Sequence, residues 1–153
     1  MATRSTGSRP RAAVARPGAQ GKIDFALKLR ASQLRPTQQR LALARLLFTG
    51  QDRHVTAERL HDEALRAGAQ LSLATVYNTL NQFTQAGLLR LVIVDGAKIH
   101  FDTNTGDHHH FYVEDEDMLI DIPGRDVRID GLPKAPAGTE IQRVDVVVRL
   151  KAR

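Results

Sequence analysis

The chain contains no cysteine and no tryptophan, and aromatic residues make up only 5% of its 153 positions. Without cysteine there is no disulfide, no thiolate-bound zinc and no thiol nucleophile. Any metal has to be held by imidazole nitrogen and carboxylate oxygen, a donor set that suits borderline divalent ions such as manganese, iron or zinc. The shortage of aromatics leaves core packing to aliphatic side chains, and a hydrophobic content of 42% is enough to supply it. No apolar run reaches the roughly 18 residues that a membrane-spanning helix needs. The N-terminus has no hydrophobic stretch of the signal-peptide kind. These absences favour a cytoplasmic protein with no membrane partner.

Acidic residues are missing from residues 1–21, which hold four arginines, two prolines and three glycines. That is the composition of a disordered basic tail. Residues 22–98 carry 11 basic and 6 acidic side chains, whereas residues 102–131 reverse the sign with 9 acids against 2 arginines. A net charge of +5 distributed this way suggests a polyanion-binding front half and a cation-binding middle.

Residue periodicity places three short helices in the front half. Leu41, Leu43, Leu46 and Leu47 recur near helical spacing after a start at Thr37, and Gly50 closes the segment. Thr56 is a suitable cap for a second helix with Leu60, Ala64 and Leu65 on its apolar stripe, stopped by Gly68. Ser72 caps a third, in which Leu73, Val76, Leu80 and Phe83 face the core while Thr75, Asn78, Thr79 and Gln82 face outward. Two β-branched runs then flank Asp95-Gly96, a hairpin signal. Three helices followed by a two-stranded hairpin is the order of a winged helix-turn-helix, whose third helix enters the major groove.

The expected class is therefore α+β. A winged helix-turn-helix domain over 22–101 is followed by a hinge at 102–107 and a small α/β dimerisation and effector-binding domain over 108–153. Within the last part "MLIDI" reads as a strand, and "EIQRVDVVVRLKAR" reads as a final strand burying Ile141, Val146, Val148 and Leu150. Two or three strands do not close a stable core alone, so a second copy is expected to complete it and make a homodimer.

The segment "TGDHHHFYVEDED", residues 105–117, sets three consecutive histidines against four consecutive acids. A solvated polar loop and a metal or haem site are both open readings of it. In an extended segment His108 and His110 point the same way and His109 points opposite. His54, Asp102 and Asp121 are further possible ligands, and the run from Glu114 to Asp117 reads as a solvated turn. Two histidines and a carboxylate also describe a non-haem iron enzyme, but nothing in the sequence supplies a substrate pocket. That reading would leave the basic helical half unexplained, so no enzyme is expected.

"LRPTQQRLALARLL", "HVTAERLHDEA", "SLATVYNTLNQFTQAGLL" and "GAKIHFDTNTGDHHHFYVEDEDMLIDI" together resemble the ferric uptake regulator family from about Leu34 to Ile122. The unbroken HHH, "FYVEDED" and the lack of cysteine resemble in particular its rhizobial iron response regulator branch. The resemblance implies a dimeric regulator of iron or haem homeostasis genes, bound to a double-stranded DNA operator. The family's regulatory-metal positions fall on His54, Asp102, His108, His110 and Asp121. The branch also implies haem as an effector, with His108, His109 and His110 as its ligands and His61 as a weaker one. A peroxide-sensing iron- or manganese-dependent repressor of the same family is the alternative, since the His-Asp-His-His-Asp set is similar to that of peroxide-sensing members.

For DNA, the resemblance and the helix pattern point to Ala74, Thr75, Tyr77 and Asn78 at base edges. Arg35 matches the family's minor-groove residue, and Arg40, Arg53 and Arg90 are expected on phosphates. Three departures from the family stand out. The cysteine pairs of a structural zinc site are absent, the first falling on "VEDE". Asn78 stands where members often have arginine, which implies a different operator preference. The N-terminal Cys-Pro haem motif of some relatives is also missing.

Overall fold

The computed structural model describes residues 23–153, so the expected basic tail at 1–21 lies outside the described residues. The helical half holds α1 (Phe25–Ala31), α2 (Gln38–Leu47), α3 (Ala57–Arg66) and α4 (Leu73–Gln85), with a two-residue strand β1 (His54–Val55) between α2 and α3. Each start is set by a side-chain oxygen that accepts an otherwise unpaired backbone N–H: Thr37 from Arg40, Thr56 from Arg59 and Ser72 from Thr75. The periodicity reading missed α1, although Asp24 caps it by accepting from Leu27. Gly68 and Gly87 end α3 and α4 with φ of 83° and 75°, a backbone state that costs glycine nothing.

Leu43, Leu47, Leu60, Ala64, Val76, Leu80 and Phe83 belong to one buried core that is mostly aliphatic, with Phe48, Phe83 and Phe101 as its aromatic members. Thr79 departs from expectation: it is buried, because its hydroxyl donates to the Thr75 carbonyl and so needs no water.

The wing is a three-stranded sheet in the order β1-β3-β2, with β2 (Arg90–Asp95) and β3 (Lys98–Asp102). The expected hairpin had two strands, and the third is the short β1 that covers the outer edge of β3. Its Val55 sits opposite Phe101 and both are buried in the helical core. The hairpin pairs Asp95 with Lys98, which puts Gly96-Ala97 at the tip.

The second sheet has the order β5-β4-β6, from β4 (His108–Val113), β5 (Met118–Pro123) and β6 (Val147–Leu150), and two 3-10 turns at Glu114–Glu116 and Gly124–Asp126. β5 runs antiparallel to β4, and β6 runs parallel to it. One face packs Tyr112, Leu119 and Val147 against Val92 and Val94 of β2, which seats the wing on this sheet. Alternation along the strands sends Met118, Ile120, Val148 and Leu150 to the other face, where each stays exposed.

The expected final strand is thus shorter than its apolar pattern suggested. Ile141 is 51% exposed and lies outside it, and Val148 and Leu150 are not buried within one chain. The acidic run is not simply solvated either. Glu114 accepts from Arg149, Asp115 from the Ala152 backbone and Asp117 from the Tyr112 hydroxyl, so the run fastens the strands around it. No helix among the described residues is long and apolar enough to cross a membrane.

Candidate metal centre and nucleic-acid face

Two cross-strand pairs meet where the sheets approach each other. In the wing, His54 opens β1 directly opposite Asp102 at the end of β3. In the second sheet, His110 of β4 sits opposite Asp121 of β5. His108, two residues before His110, projects from the same face of β4. One ligand atom from each of these five residues lies within 4.8 Å of all the others. The structure thus gathers the five side chains expected from sequence, two from the wing and three from the second sheet.

The distances fit a shared cation. His108 Nε2 is 2.7 Å and His110 Nε2 3.0 Å from Asp102 Oδ2, and the two ring nitrogens are 3.0 Å apart. His108 Nδ1–H donates to the Gly106 carbonyl at 2.8 Å, which leaves Nε2 of a neutral ring as a bare lone pair. His54 Nε2 and Asp121 Oδ1 lie 2.8 Å apart without the alignment of a hydrogen bond, and both are buried with no partner. Donors ~2.0–2.2 Å from one small ion are held about 3 Å from their neighbours. Buried lone pairs facing one another are costly unless a cation lies between them. The residues present therefore fit a divalent ion with three imidazole and two carboxylate donors.

The same field acts on protons. Burial opposes charging His54, but the carboxylates of Asp102, 3.3 Å from its Nε2, and of Asp121 outweigh it and raise its pKa above the usual imidazole value. Burial also pushes the Asp102 carboxyl up, yet the bond from His110 and the nearby His54 imidazole hold it far below the usual carboxylate range.

One orienting residue was missed from sequence. The Asn104 backbone N–H donates to Asp102 Oδ1 at 2.8 Å, and its side-chain amide donates to Asp121 Oδ2 at 3.0 Å. Its own Oδ1 accepts from Gly106 N–H at 3.0 Å. Asn104 thus turns the free oxygen of both carboxylates towards the histidines. The signal was present in "DTNTG", two successive Asx turns in which a side chain bonds the backbone two residues on.

The residues expected to hold haem are placed differently. His108, His109 and His110 are all buried. His109 does project from the opposite face of β4, but its Nδ1 accepts from Val146 N–H at 3.2 Å. His61 donates from Nε2 to the Leu71 carbonyl at 2.8 Å, on α3, and is not part of the five-residue cluster.

On α4, Ala74 and Asn78 are exposed and Thr75 and Tyr77 half-buried. The Tyr77 hydroxyl donates to Glu58 on α3 at 2.6 Å, a bond that pulls the Glu58 carboxyl down and pushes the phenol up. Arg35 is exposed, and Arg40 sits next to it with its guanidinium on Gln82 Oε1 and the Arg35 carbonyl. Two further arginines expected on phosphates bond within the fold. Arg90 is 4% exposed and turned inward, because β2 carries it into the space beside the metal cluster. Arg53 braces the fold, donating to the Leu46 carbonyl and to Glu63.

Comparison with known proteins agrees with this architecture. The ferric uptake regulator family model matches residues 31–143. The ferric uptake regulation protein of Neisseria meningitidis serogroup A is 33% identical over 92 residues, 60% of this chain and 64% of that protein. The matched part thus spans just under two thirds of that relative's length. Among solved structures, the Vibrio cholerae ferric uptake regulator superposes with a TM-score of 0.66 at 22% identity, covering 84% of this chain and all of that one. The Pseudomonas aeruginosa ferric uptake regulator, solved with manganese, gives a TM-score of 0.65 at 26% identity over 86% of this chain and 99% of its own. With the family model matched over most of the chain and the fold shared, this chain belongs to the ferric uptake regulator family.

Proposed function

We propose that the chain is a metal-dependent, DNA-binding transcription regulator that acts as a homodimer in the cytoplasm and controls genes of iron homeostasis. The observation that carries this reading is the five-donor cluster assembled from both sheets. His54 and Asp102 belong to the wing, and through it to α4. His108, His110 and Asp121 belong to the sheet whose other face presents Met118, Ile120, Val148 and Leu150 to a second copy. A bound manganese, iron or zinc ion would be held by these five residues and would fix the angle between the two units. The residues 103–107 that join them act as the hinge.

In a dimer, that angle sets the separation of two α4 helices, which have to reach half-sites about 34 Å apart. An ion that favours one angle shifts the population towards the DNA-competent form by its difference in affinity for the two. Ala74, Thr75, Tyr77 and Asn78 would read base edges, with Arg35 and Arg40 on the sugar-phosphate backbone. The test is a titration of Mn(II), Fe(II) and Zn(II) into the full chain, paired with operator binding. Metal should tighten binding to the operator over a scrambled sequence, and His108→Ala or His110→Ala should remove that response. Equal affinity for both sequences with and without metal would refute the reading.

A peroxide-sensing role is the second reading, supported by three histidines on a single prospective iron site. Iron-loaded protein exposed to peroxide should then gain an oxygen atom, +16 in mass, on His54 or His108. Haem as the effector, as in the iron response branch, has less support. His108 and His110 face the metal cluster, His109 and His61 hold backbone partners, and haem would have to open β4 to reach the three histidines of that strand. A Soret titration that saturates at one haem per chain and is lost in a variant with His108, His109 and His110 all replaced by alanine would restore the haem reading.

A further inference from the structure

Arg90 is a buried cation that belongs to neither the five donors nor the DNA face. It begins β2 directly opposite Asp102 in the sheet register, so it stands beside a strand that carries a ligand. Its Nη1 donates to the His108 carbonyl at 3.0 Å and to the Gly106 carbonyl at 3.3 Å, and lies 3.1 Å from His108 Nδ1. Its Nη2 pairs with Asp145, and its Nε is buried without a partner. The Gly106 carbonyl that it holds is the one accepting His108 Nδ1–H. Asp145 lies just before β6, whose Val147 sits opposite His110.

A cavity of about 190 Å³, lined by Leu91, Val92, Ile93, His110 and Val147 together with Arg90 and Asp145, lies beside this link. A buried guanidinium left unpaired is strongly destabilising, so the position depends on these partners. Only a planar fork reaches two carbonyls on one side and a carboxylate on the other, which a lysine ammonium cannot do.

We propose that Arg90 is a positioning residue for the metal centre. It fixes the corner at residues 106–108 so that His108 presents Nε2, and through Asp145 it makes that geometry depend on the seating of β6. The proposal rests on the metal reading above. Metal binding and ordering of the C-terminal strand, which borders the exposed apolar face, are thereby coupled.

Sign separates this from a mere neighbouring charge. A bare cation beside the site repels a divalent ion, so removing it would tighten binding; removing a positioning residue weakens it. The experiment titrates Mn(II), followed by electron paramagnetic resonance, into full-length wild type, Arg90→Gln, Arg90→Lys and Asp145→Asn. Melting temperatures and imidazole ¹⁵N shifts are recorded on the metal-free proteins. We expect both Arg90 variants to bind about 10-fold more weakly, as for loss of an outer partner of a ligand, and Asp145→Asn to bind several-fold more weakly with an unchanged melting temperature. His108 should be a single Nδ1–H tautomer in wild type and a mixture in Arg90→Gln. Should the Arg90 variants fail to fold, the His108 tautomer in Asp145→Asn decides, since that carboxylate is 44% exposed and loss of its charge alone would weaken cation binding without mixing the tautomers. Tighter or unchanged Mn(II) binding by folded Arg90→Lys or Asp145→Asn overturns the proposal. A wild type that binds neither Mn(II) nor Zn(II) overturns the metal reading and the proposal with it.

Discussion

Replacing Asn104 by alanine isolates the orientation of the proposed metal ligands from the ligands themselves. The variant keeps the backbone N–H on Asp102 Oδ1 and loses the side-chain bonds to Asp121 Oδ2 and from Gly106 N–H. A hydrogen bond to a charged acceptor contributes roughly 1.5–3 kcal/mol and a neutral one about 1 kcal/mol. The Asp121 side chain is 30% exposed, so water recovers part of the first of these. That leaves about 1.5 kcal/mol, which is close to one decade in affinity. Calorimetric titration of Mn(II) into wild type and Asn104→Ala should therefore show about a 10-fold weaker dissociation constant. The metal-free melting temperature should fall by ~3–6 °C. The reasoning fails if Asn104→Ala binds within twofold of wild type while Asp121→Ala loses more than a decade. Asp121 would then be a ligand aimed by something other than Asn104.

Other consequences are as direct. His54 has a raised pKa in the fold, so in metal-free protein it adds stability that is fully present below its unfolded value of 6.5 and is lost as pH rises through the folded value. Asp102, depressed, keeps its charge across that range. Metal must displace the His54 proton, so Zn(II) or Mn(II) affinity should level off at alkaline pH and fall about tenfold per pH unit below the folded value; an affinity flat between pH 5 and 8 contradicts the assignment. Tyr77→Ala should weaken operator binding by ~1–3 kcal/mol and leave the salt slope unchanged, whereas Arg35→Ala should reduce that slope by about one unit. Identical salt slopes for both variants would refute this division of roles. Ile120→Asp places a charge amid the exposed apolar face of the second sheet, and if that face forms the proposed homodimer, sedimentation should show monomers at concentrations where wild type associates.

Much of the front half could be read from local chemistry. Thr37, Thr56 and Ser72 start helices because a hydroxyl can satisfy an orphan N–H, and that rule needs no tertiary context. Where tertiary partners decide, sequence gave the wrong environment. Thr79 looked polar and outward, but an intrahelical bond lets it bury. Arg90 looked like one more surface arginine, and only the register of β2 against β3 turns it inward. Val148 and Leu150 have the pattern of a buried strand and are exposed here, since what would cover them is not within one chain.

The histidine run shows how far parity along a strand can be taken. Alternation alone puts His108 and His110 on one face and His109 on the other, and the structure adds what each face is for. On the first, Asp102 and Asp121 face the rings of His108 and His110, and His54 joins them from the wing. On the second, His109 lies in line with Phe111 and Val113, the rows that end in Ile120, Val148, Met118 and Leu150. Its Nδ1 bond to Val146 N–H ties β4 to the approach of β6. A third histidine in the run therefore need not be a third ligand. An imidazole there can remain buried because it fills apolar space and satisfies one backbone donor. A leucine would fill the space but leave that donor unpaired, at a cost of ~1–3 kcal/mol. His109→Leu should accordingly destabilise the chain by about that amount in a denaturant titration while Mn(II) affinity stays within twofold. A loss of metal binding as large as that of His108→Ala would mean that the two faces of β4 are not independent.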